Sequence, residues 1–368
     1  MLLYFSYRIK KPYKNKKGFQ MNKRSFLTIT LASLLAVVGL TASLHSNLAM
    51  AAEYKSEYKM SLVLGTAFPW GKGGEIWADL VRERTNGRIN IKLYPGASLV
   101  GGDQTREFTA IRQGVIDMSI GSTINWSPQI KELNLFSLPF LMPSYQSIDA
   151  LVKGPVGKDL LDIIEKQGVV PLAWGENGFR EISNSKKEVK KPEDLKGMKF
   201  RVVGSPIYNE TFSALGANPT QMSWADTQAA LASGAVDGQE NPESVYAAAK
   251  LYTVGQKYVT VWRYVADPLI FVVNKQVWES WTPQDREIVQ QAAIDAGKQE
   301  VAIARKGLAE PSQPAWKDVE QYGVKVTYLT PEDRKLFVAA TRDVYNKWKN
   351  QIGAALVDKA EKAVANAK

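Results

Sequence analysis

Arg201 lies in the middle of a short apolar segment, Met198–Val203, whose alternation is typical of a buried β-strand. Because its guanidinium cannot lose its proton in a protein, a buried Arg201 needs an anion beside it. An Asp or Glu of the same chain would satisfy that need. On a half-exposed strand, water would solvate the guanidinium and no anion would be needed. The third possibility is the carboxylate of a bound ligand, which the planar guanidinium would hold through two parallel hydrogen bonds.

Two further polar side chains follow predicted strands. Arg180 comes after the apolar run Val169–Trp174, at a glycine-containing turn, and Asn241 lies in the segment Asp237–Pro242. Ligands of open α/β sheets gather at the carboxyl ends of strands, so both side chains are candidate ligand contacts. A surface arginine and an ordinary turn fit the same patterns equally well.

Three tryptophans, Trp70, Trp126 and Trp224, lie in sequence that resembles loops rather than periodic apolar faces. Aromatic walls in a cleft suit sugars and aliphatic acids. Most tryptophans belong to the core or its rim, so packing alone also explains each of them.

Composition restricts the chemistry further. Residues 1–51 contain eight Lys or Arg, no Asp or Glu, and His45, the only histidine of the chain. Without them 39 basic residues face 37 acidic ones, a net charge of +2, and the remaining 317 residues contain neither His nor Cys. The usual general base, the preferred zinc ligands and the thiol nucleophile are therefore absent, and the balanced charge gives no reason to expect nucleic-acid binding. No P-loop, dinucleotide or metal motif is present either, so we expect no cofactor.

The first 51 residues have the pattern of a leader and a secretory signal peptide. Lys23 and Arg24 precede a mostly apolar stretch, residues 26–42, and Ala49-Met50-Ala51 forms an A-x-A cleavage site. Met21 is the expected translation start. An uncleaved membrane anchor is the alternative, because the apolar stretch approaches the length of a short span. With no cysteine to attach a lipid, the signal predicts a soluble periplasmic protein.

Periodicity predicts an α/β fold. Tyr58–Thr66, Gly73–Thr85 and Arg88–Leu93 indicate a strand, a helix and a strand, which is a βαβ unit with a parallel pair. The segments Ala110–Asp117 and Ala230–Asp237 have the same helix, glycine and strand-entry plan, which indicates two similar α/β parts unless the likeness is chance.

The C-terminal part of the chain is predicted to be helical. Thr282-Pro283 and Thr330-Pro331 each predict a helix start, and residues 331–368 are predicted to be helices.

The central block ISNSKKEVKKPEDLKGMKFRVVGSPIYNETFSALGANPTQMSWADTQAALASGAVDGQENP resembles the solute-binding proteins of TRAP transporters, the DctP-like family. The likeness also includes LYPGASLVGGDQTREFTAIRQGVIDM, SLPFLMPSYQ, FVVNK and TPQDR, and so extends over nearly all of the chain after the signal peptide. The resemblance implies a two-lobed α/β fold of the periplasmic-binding-protein type (class II-like), with mixed sheets and long C-terminal helices. Lobe I would comprise residues 52–177 and 266–305, and lobe II residues 178–265 and 306–368.

The resemblance also assigns roles to residues. It implies that Arg201 binds the ligand carboxylate, that Arg180 and Asn241 help to orient the ligand, and that Trp224 supplies an aromatic wall. The segment Gly121–Trp126 corresponds to lobe I contacts in the family. The candidate ligand-binding residues are therefore Arg201, Arg180, Asn241, Trp224, Ser122, Asn125 and Trp126.

We therefore expect a binding protein, not an enzyme, that delivers an organic acid to the membrane subunits of a TRAP permease through transient contact. A C4-dicarboxylate, a uronate, an aldonate and a 2-oxo acid all fit two arginines and several tryptophans, so the ligand stays open. A monomer is expected, with no nucleic-acid partner. The alternatives are a sensor that presents its ligand to a receptor and a secreted hydrolase or lyase that uses carboxylates.

Overall fold

The computed structural model describes residues 54–309 and 312–367. The predicted leader and signal peptide lie outside these residues. Within the two described ranges, no helix combines the length and the apolar character needed to cross a membrane.

The first elements confirm the predicted βαβ unit. Strand β1 (Tyr58–Ser61) runs parallel to β2 (Ile91–Tyr94), and helix α1 (Pro69–Arg84) joins them. Proline at the first helical position fits the helix start, because its missing N–H would have had no partner there. Trp77 on α1 is fully buried, so the helix packs its apolar face on the sheet.

The described part of the chain contains nine strands and fourteen α-helices. The remaining strands are β3 (Met118–Ser122), β4 (Val169–Asn184), β5 (Lys199–Val202), β6 (Asn218–Gln221), β7 (Gly238–Asn241), β8 (Tyr258–Asn274) and β9 (Lys325–Tyr328). The remaining helices are α2 (Glu107–Arg112), α3 (Thr123–Trp126), α4 (Tyr145–Val152), α5 (Pro155–Glu165), α6 (Pro206–Ala214), α7 (Trp224–Ser233), α8 (Glu243–Ala248), α9 (Lys275–Ser280), α10 (Pro283–Ala304), α11 (Pro314–Glu320), α12 (Pro331–Ala340), α13 (Arg342–Ile352) and α14 (Ala354–Asn366). The predicted helix starts at Thr282 and Thr330 are confirmed, since both threonines cap the helices that follow.

All nine strands belong to one mixed sheet, in the order β2-β1-β3-β8-β4-β7-β5-β6, with β9 beside β8. The long strands β4 and β8 pair antiparallel along almost their whole length. The second half of β8 pairs with β3, whereas the second half of β4 pairs with β7. The pairing of β4 with β8 shifts register between Glu176 and Gly178 and again between Arg180 and Ile182. The two long strands therefore connect two half-sheets, one around β1–β3 and one around β5–β7, which we call the first and the second half-sheet.

The two segments predicted to share a plan do so in atomic detail. Asp117, just before β3, accepts a hydrogen bond from the backbone N–H of Lys59 at 2.8 Å, and Asp237, just before β7, accepts one from Lys199 at 2.9 Å. Both preceding helices end at a glycine of positive φ, Gly114 and Gly234. The repeat places β1 and β5 in equivalent positions of their half-sheets.

Helices cover the sheet and form the rest of the core. The predicted C-terminal helices are confirmed as α12, α13 and α14, and α14 packs against α4 and α5. The α/β class and the mixed sheet are also confirmed, while the lobe boundaries stay a prediction. The expectation that Trp70, Trp126 and Trp224 lie in loops is wrong, because Trp70 and Trp224 are in the first turns of α1 and α7 and Trp126 is the last residue of α3.

Candidate functional site

Strand β5 places Arg201 between β6 and β7, so both edges of the strand are paired at this residue. Only 1% of Arg201 is exposed. Its Nε donates to the carbonyl oxygen of Met222 at 3.1 Å, but its Nη2 is buried and has no hydrogen-bond partner among the described residues. Burial lowers the pKa of Arg201 to about 10, so the side chain remains a cation at neutral pH.

Arg180 is equally buried but fully paired. Its Nε and Nη2 hold the carboxylate of Glu240 in a two-pronged ion pair, with Nη2 2.8 Å from Oε1. Its Nη1 donates to Asp267 Oδ2 at 3.2 Å. Burial lowers the pKa of Arg180, but Glu240 and Asp267 more than offset this effect and raise it above its usual value. The structure thus rejects a surface position for Arg180, and it shows no ion pair between Arg201 and any residue in the described ranges.

One cavity of about 290 Å³ lies between the two half-sheets. It brings together five of the seven side chains predicted as ligand contacts and adds seven others, of which the sequence pointed only to Trp70. The predicted side chains in its wall are Arg201, Arg180, Asn241, Trp224 and Asn125. The others are Val63, Leu64, Trp70, Gln104, Asn177, Val203 and Asp267.

Asp267 is the only carboxylate in this wall. It lies on β8 next to the register shift of the β4–β8 pair and is 1% exposed. Its Oδ1 accepts from the hydroxyl of Ser122 at 2.5 Å, and its Oδ2 accepts from Asn177 Nδ2 at 2.8 Å and from Arg180. Burial raises the pKa of Asp267, while the charge of Arg180 opposes that rise. The local sequence shows only a polar residue before the apolar run of β8, which is a weak signal for a site.

Gln104 connects the two half-sheets across the cavity. Its Nε2 donates to Asn125 Oδ1 at 3.1 Å, and its Oε1 accepts from the backbone N–H of Trp224 at 2.8 Å. Asn125 belongs to α3 after β3, whereas Trp224 begins α7 of the second half-sheet. A single side chain therefore binds both walls of the cavity.

Two tryptophans line the cavity in different ways. The indole of Trp70 donates to the carbonyl oxygen of Ile120 at 2.7 Å, which fixes the ring in the wall. The ring of Trp224 lies beneath the guanidinium of Arg201, with 6.0 Å between Cζ and the ring centroid. Trp70 was recognised from the sequence only as an aromatic candidate and not as a site residue.

Asn241 is held by its own network at the end of β7. Its Nδ2 donates to Gln239 Oε1 at 2.5 Å, and Gln239 Nε2 donates to the hydroxyl of Ser183 at 2.8 Å. The Asn241 carboxamide is thereby fixed with its oxygen available as an acceptor.

The other two predicted residues lie outside the cavity wall. Ser122 caps α3 and donates to Asp267, so it lies directly behind the wall. Trp126 is fully buried in the core, where its ring packs against Phe108 and over Gly121. A Cβ atom on Gly121 would lie 1.7 Å from that ring, which explains the glycine at this position.

The fold and this cavity define a class of protein that encloses a small anionic solute between two halves of one sheet. An uncompensated cation, aromatic rings and fixed amides form its wall, and no nucleophile with an adjacent base is among the lining residues. The chain belongs to the bacterial extracellular solute-binding protein family 7, the DctP family, whose model matches residues 60–351. The family predicted from the sequence is therefore confirmed.

Solved structures and curated proteins agree with this membership. The chain is 78% identical to a TRAP periplasmic solute-binding protein from Ralstonia eutropha H16 with bound (S)-2-acetolactate, and the match has a TM-score of 0.84 and covers 85% of this chain and 99% of that one. It is 29% identical to a sugar-acid-binding protein from Advenella mimigardefordensis in complex with galactonate, with a TM-score of 0.79 over 85% of this chain and 98% of that one. It is also 34% identical over 273 residues to the 2,3-diketo-L-gulonate-binding periplasmic protein of Escherichia coli, which covers 73% of this chain and 80% of that protein.

Proposed function

We propose that this chain captures a small organic acid outside the cytoplasm and delivers it to a TRAP-type permease. The observation that supports this most strongly is Arg201, a buried cation at the cavity wall whose Nη2 has no hydrogen-bond partner among the described residues. An unpaired buried charge is costly, and a ligand carboxylate would remove that cost through charge-assisted hydrogen bonds.

The ligand that we propose is a short, branched monocarboxylate with oxygen on the neighbouring carbons, of which 2-acetolactate is the model. The 78% identical relative with bound (S)-2-acetolactate supports this class. The cavity wall also combines the cation of Arg201 with apolar side chains. Val63, Leu64 and Val203 in its wall offer apolar contact to a methyl group.

Binding and closure are coupled in this proposal. The ligand carboxylate meets Arg201 in the second half-sheet, and Asn125 and Gln104 then approach from the first. A ligand shifts such an equilibrium only by the affinity that it gains in the closed state. Micromolar binding needs about 8 kcal/mol in total, and a buried Arg–carboxylate pair with contacts to two tryptophans can supply much of it.

The cellular part of the proposal rests on the family and the leader. Cleavage of the signal peptide before Ala52 would release the protein into the periplasm, without a lipid anchor because the chain has no cysteine. TRAP permeases use ion gradients, as the family implies, so the binding protein would need no ATPase partner.

A ligand screen tests the function. The mature protein is freed of bound ligand by unfolding and refolding, and its melting temperature is measured with 2-acetolactate, succinate, galactonate and glucuronate. We expect the largest stabilisation from 2-acetolactate, and proton NMR of that ligand should remain unchanged after long incubation beyond its rate of spontaneous decay. Stabilisation by none of these acids, or accelerated conversion of the ligand, would contradict the proposal.

A further inference from the structure

The formal charges of the buried side chains around the cavity sum to zero, but they are not evenly paired. Two cations, Arg180 and Arg201, are accompanied by two anions, Glu240 and Asp267, and all four side chains are at most 2% exposed. Glu240 is bound by Arg180 and by the hydroxyl of Tyr264 at 2.9 Å. Two arginines would suit a dicarboxylate, but only Arg201 has a charge that no carboxylate of the described residues neutralises.

Asp267 retains capacity for one more hydrogen bond. An ionised carboxylate offers about four acceptor positions, and Ser122, Asn177 and Arg180 occupy three of them. The remaining acceptor belongs to a side chain in the cavity wall.

Arg201 and Asp267 border the same cavity, Arg201 from β5 and Asp267 from β8. A ligand whose carboxylate is held by Arg201 therefore lies in the space that Asp267 also lines. A substituent of that ligand directed towards β8 meets a buried acceptor of negative charge.

We propose that Asp267 determines the specificity of this site: it accepts the hydrogen bond of a hydroxyl near the ligand carboxylate, and it repels a second carboxylate. The inference rests on the proposed function and defines its substrate class as hydroxylated monocarboxylates, with C4-dicarboxylates excluded. Like charges placed together in a buried site are strongly unfavourable, and an acceptor left without its hydroxyl donor also weakens binding.

The ion pair with Arg180 explains how the acidic side chain of Asp267 can lie in the wall of a site that binds an anion. Arg180 lies between Glu240 and Asp267, and these two carboxylates neutralise its charge within the protein. Without the negative charge of Asp267, part of the Arg180 charge would become available to a ligand. The substitution Asp267→Asn should therefore convert a site for one carboxylate into a site that also admits two.

The test measures dissociation constants for 2-acetolactate and succinate with the wild-type mature protein and with Asp267→Asn. We expect affinity for 2-acetolactate to fall by at least about tenfold and affinity for succinate to rise by at least about tenfold. Asp79→Asn is the matched control, because it makes the same substitution at an exposed residue of α1 that does not line the cavity. The control should retain the wild-type preference for the monocarboxylate.

A second measurement needs no variant and guards against a misfolded Asp267→Asn protein. Wild type should bind 2-methyl-3-oxobutanoate, which lacks only the hydroxyl, at least about tenfold more weakly than 2-acetolactate. Equal affinity for these two monocarboxylates, or an unchanged preference over succinate in folded Asp267→Asn, would overturn the role of Asp267. Failure of wild type to bind any monocarboxylate would instead overturn the proposed function itself.

Discussion

Arg180 and Arg201 lie in the wall of the same cavity, but among the residues that the structure describes only Arg180 has carboxylate partners. Both side chains are at most 2% exposed, so water solvates neither charge. The two arginines are therefore expected to differ in what they do for the protein: Arg180 stabilises the fold, whereas Arg201 is kept at a cost to stability for binding.

Replacing each arginine by methionine separates these roles in the ligand-free protein. Arg180→Met leaves Glu240 and Asp267 buried without their counter-ion and should lower the free energy of unfolding by about 3–5 kcal/mol. Arg201→Met removes a cation that lacks a carboxylate partner, and should leave the free energy of unfolding unchanged or raise it by about 1 kcal/mol. Urea denaturation measures both variants. Equal destabilisation by the two substitutions would show that Arg201 is structural.

Gln104 should contribute to affinity by holding the closed state. Gln104→Ala removes the hydrogen bonds to Asn125 and to the backbone of Trp224, and we expect the ligand to dissociate about tenfold faster. Gln321→Ala is a suitable control, because exposed Gln321 donates a hydrogen bond to the Asp318 carbonyl of α11 and does not line the cavity. Stopped-flow dissociation rates provide the measurement, and equal rates for both variants would contradict the bridging role.

Closure also depends on close approach at Gly204. A Cβ atom at this position would lie 2.6 Å from Cγ2 of Thr105 on the opposite side of the cleft. Gly204→Ala should therefore weaken binding by about tenfold, because contacts below 3.0 Å force the two sides apart. Adding Thr105→Ser removes the obstructing methyl group and should restore affinity. Titration calorimetry of the single and double variants tests this, and weak binding that persists in the double variant would refute the steric explanation.

Glu107 makes stability depend on pH. It is fully buried on α2, accepts from the hydroxyl of Ser61 at 2.5 Å and has an unpartnered Oε2, and burial raises its pKa from 4.5 to about 7. Above pH 4.5 the unfolded chain loses this proton while the folded chain keeps it, so stability falls until the pH passes about 7. The effect is on the order of 3 kcal/mol.

Glu107→Gln removes the titration and should reduce the loss of stability between pH 5 and about pH 8 by roughly that amount. Urea unfolding at both pH values gives the comparison, with exposed Glu83→Gln as the control. If the Glu107 variant and wild type lose stability equally, the carboxyl is not protonated in the folded state.

Local patterns explain why much of the fold was predictable. The βαβ unit, the threonine caps and the repeat around Asp117 and Asp237 each depend on neighbouring residues. Arg201 was also found locally, as a cation within an apolar strand. The sequence could not show that Arg201 has no carboxylate partner among the described residues, because this depends on which side chains the other elements place beside it.

The parts of the site that the sequence did not reveal depend on long-range contacts. Glu240 and Asp267 reach Arg180 from 60 and 87 residues away, and Gln104 reaches the backbone of Trp224 from 120 residues away. Trp126 is the opposite case. The sequence suggested that it contacts the ligand, but its ring packs over Gly121 in the core. Burial and partners, rather than residue type, separate a wall residue from a core residue.

The most direct measurement is the calorimetric titration of ligand-free wild type, Arg201→Lys and Arg201→Met with 2-acetolactate at neutral pH. Lysine keeps the charge but lacks the fork that holds a carboxylate through two bonds. If Arg201 binds the ligand carboxylate, the lysine variant should lose about 100-fold in affinity and the methionine variant should show no measurable binding. Affinities within a factor of about three of wild type in both variants would contradict the account.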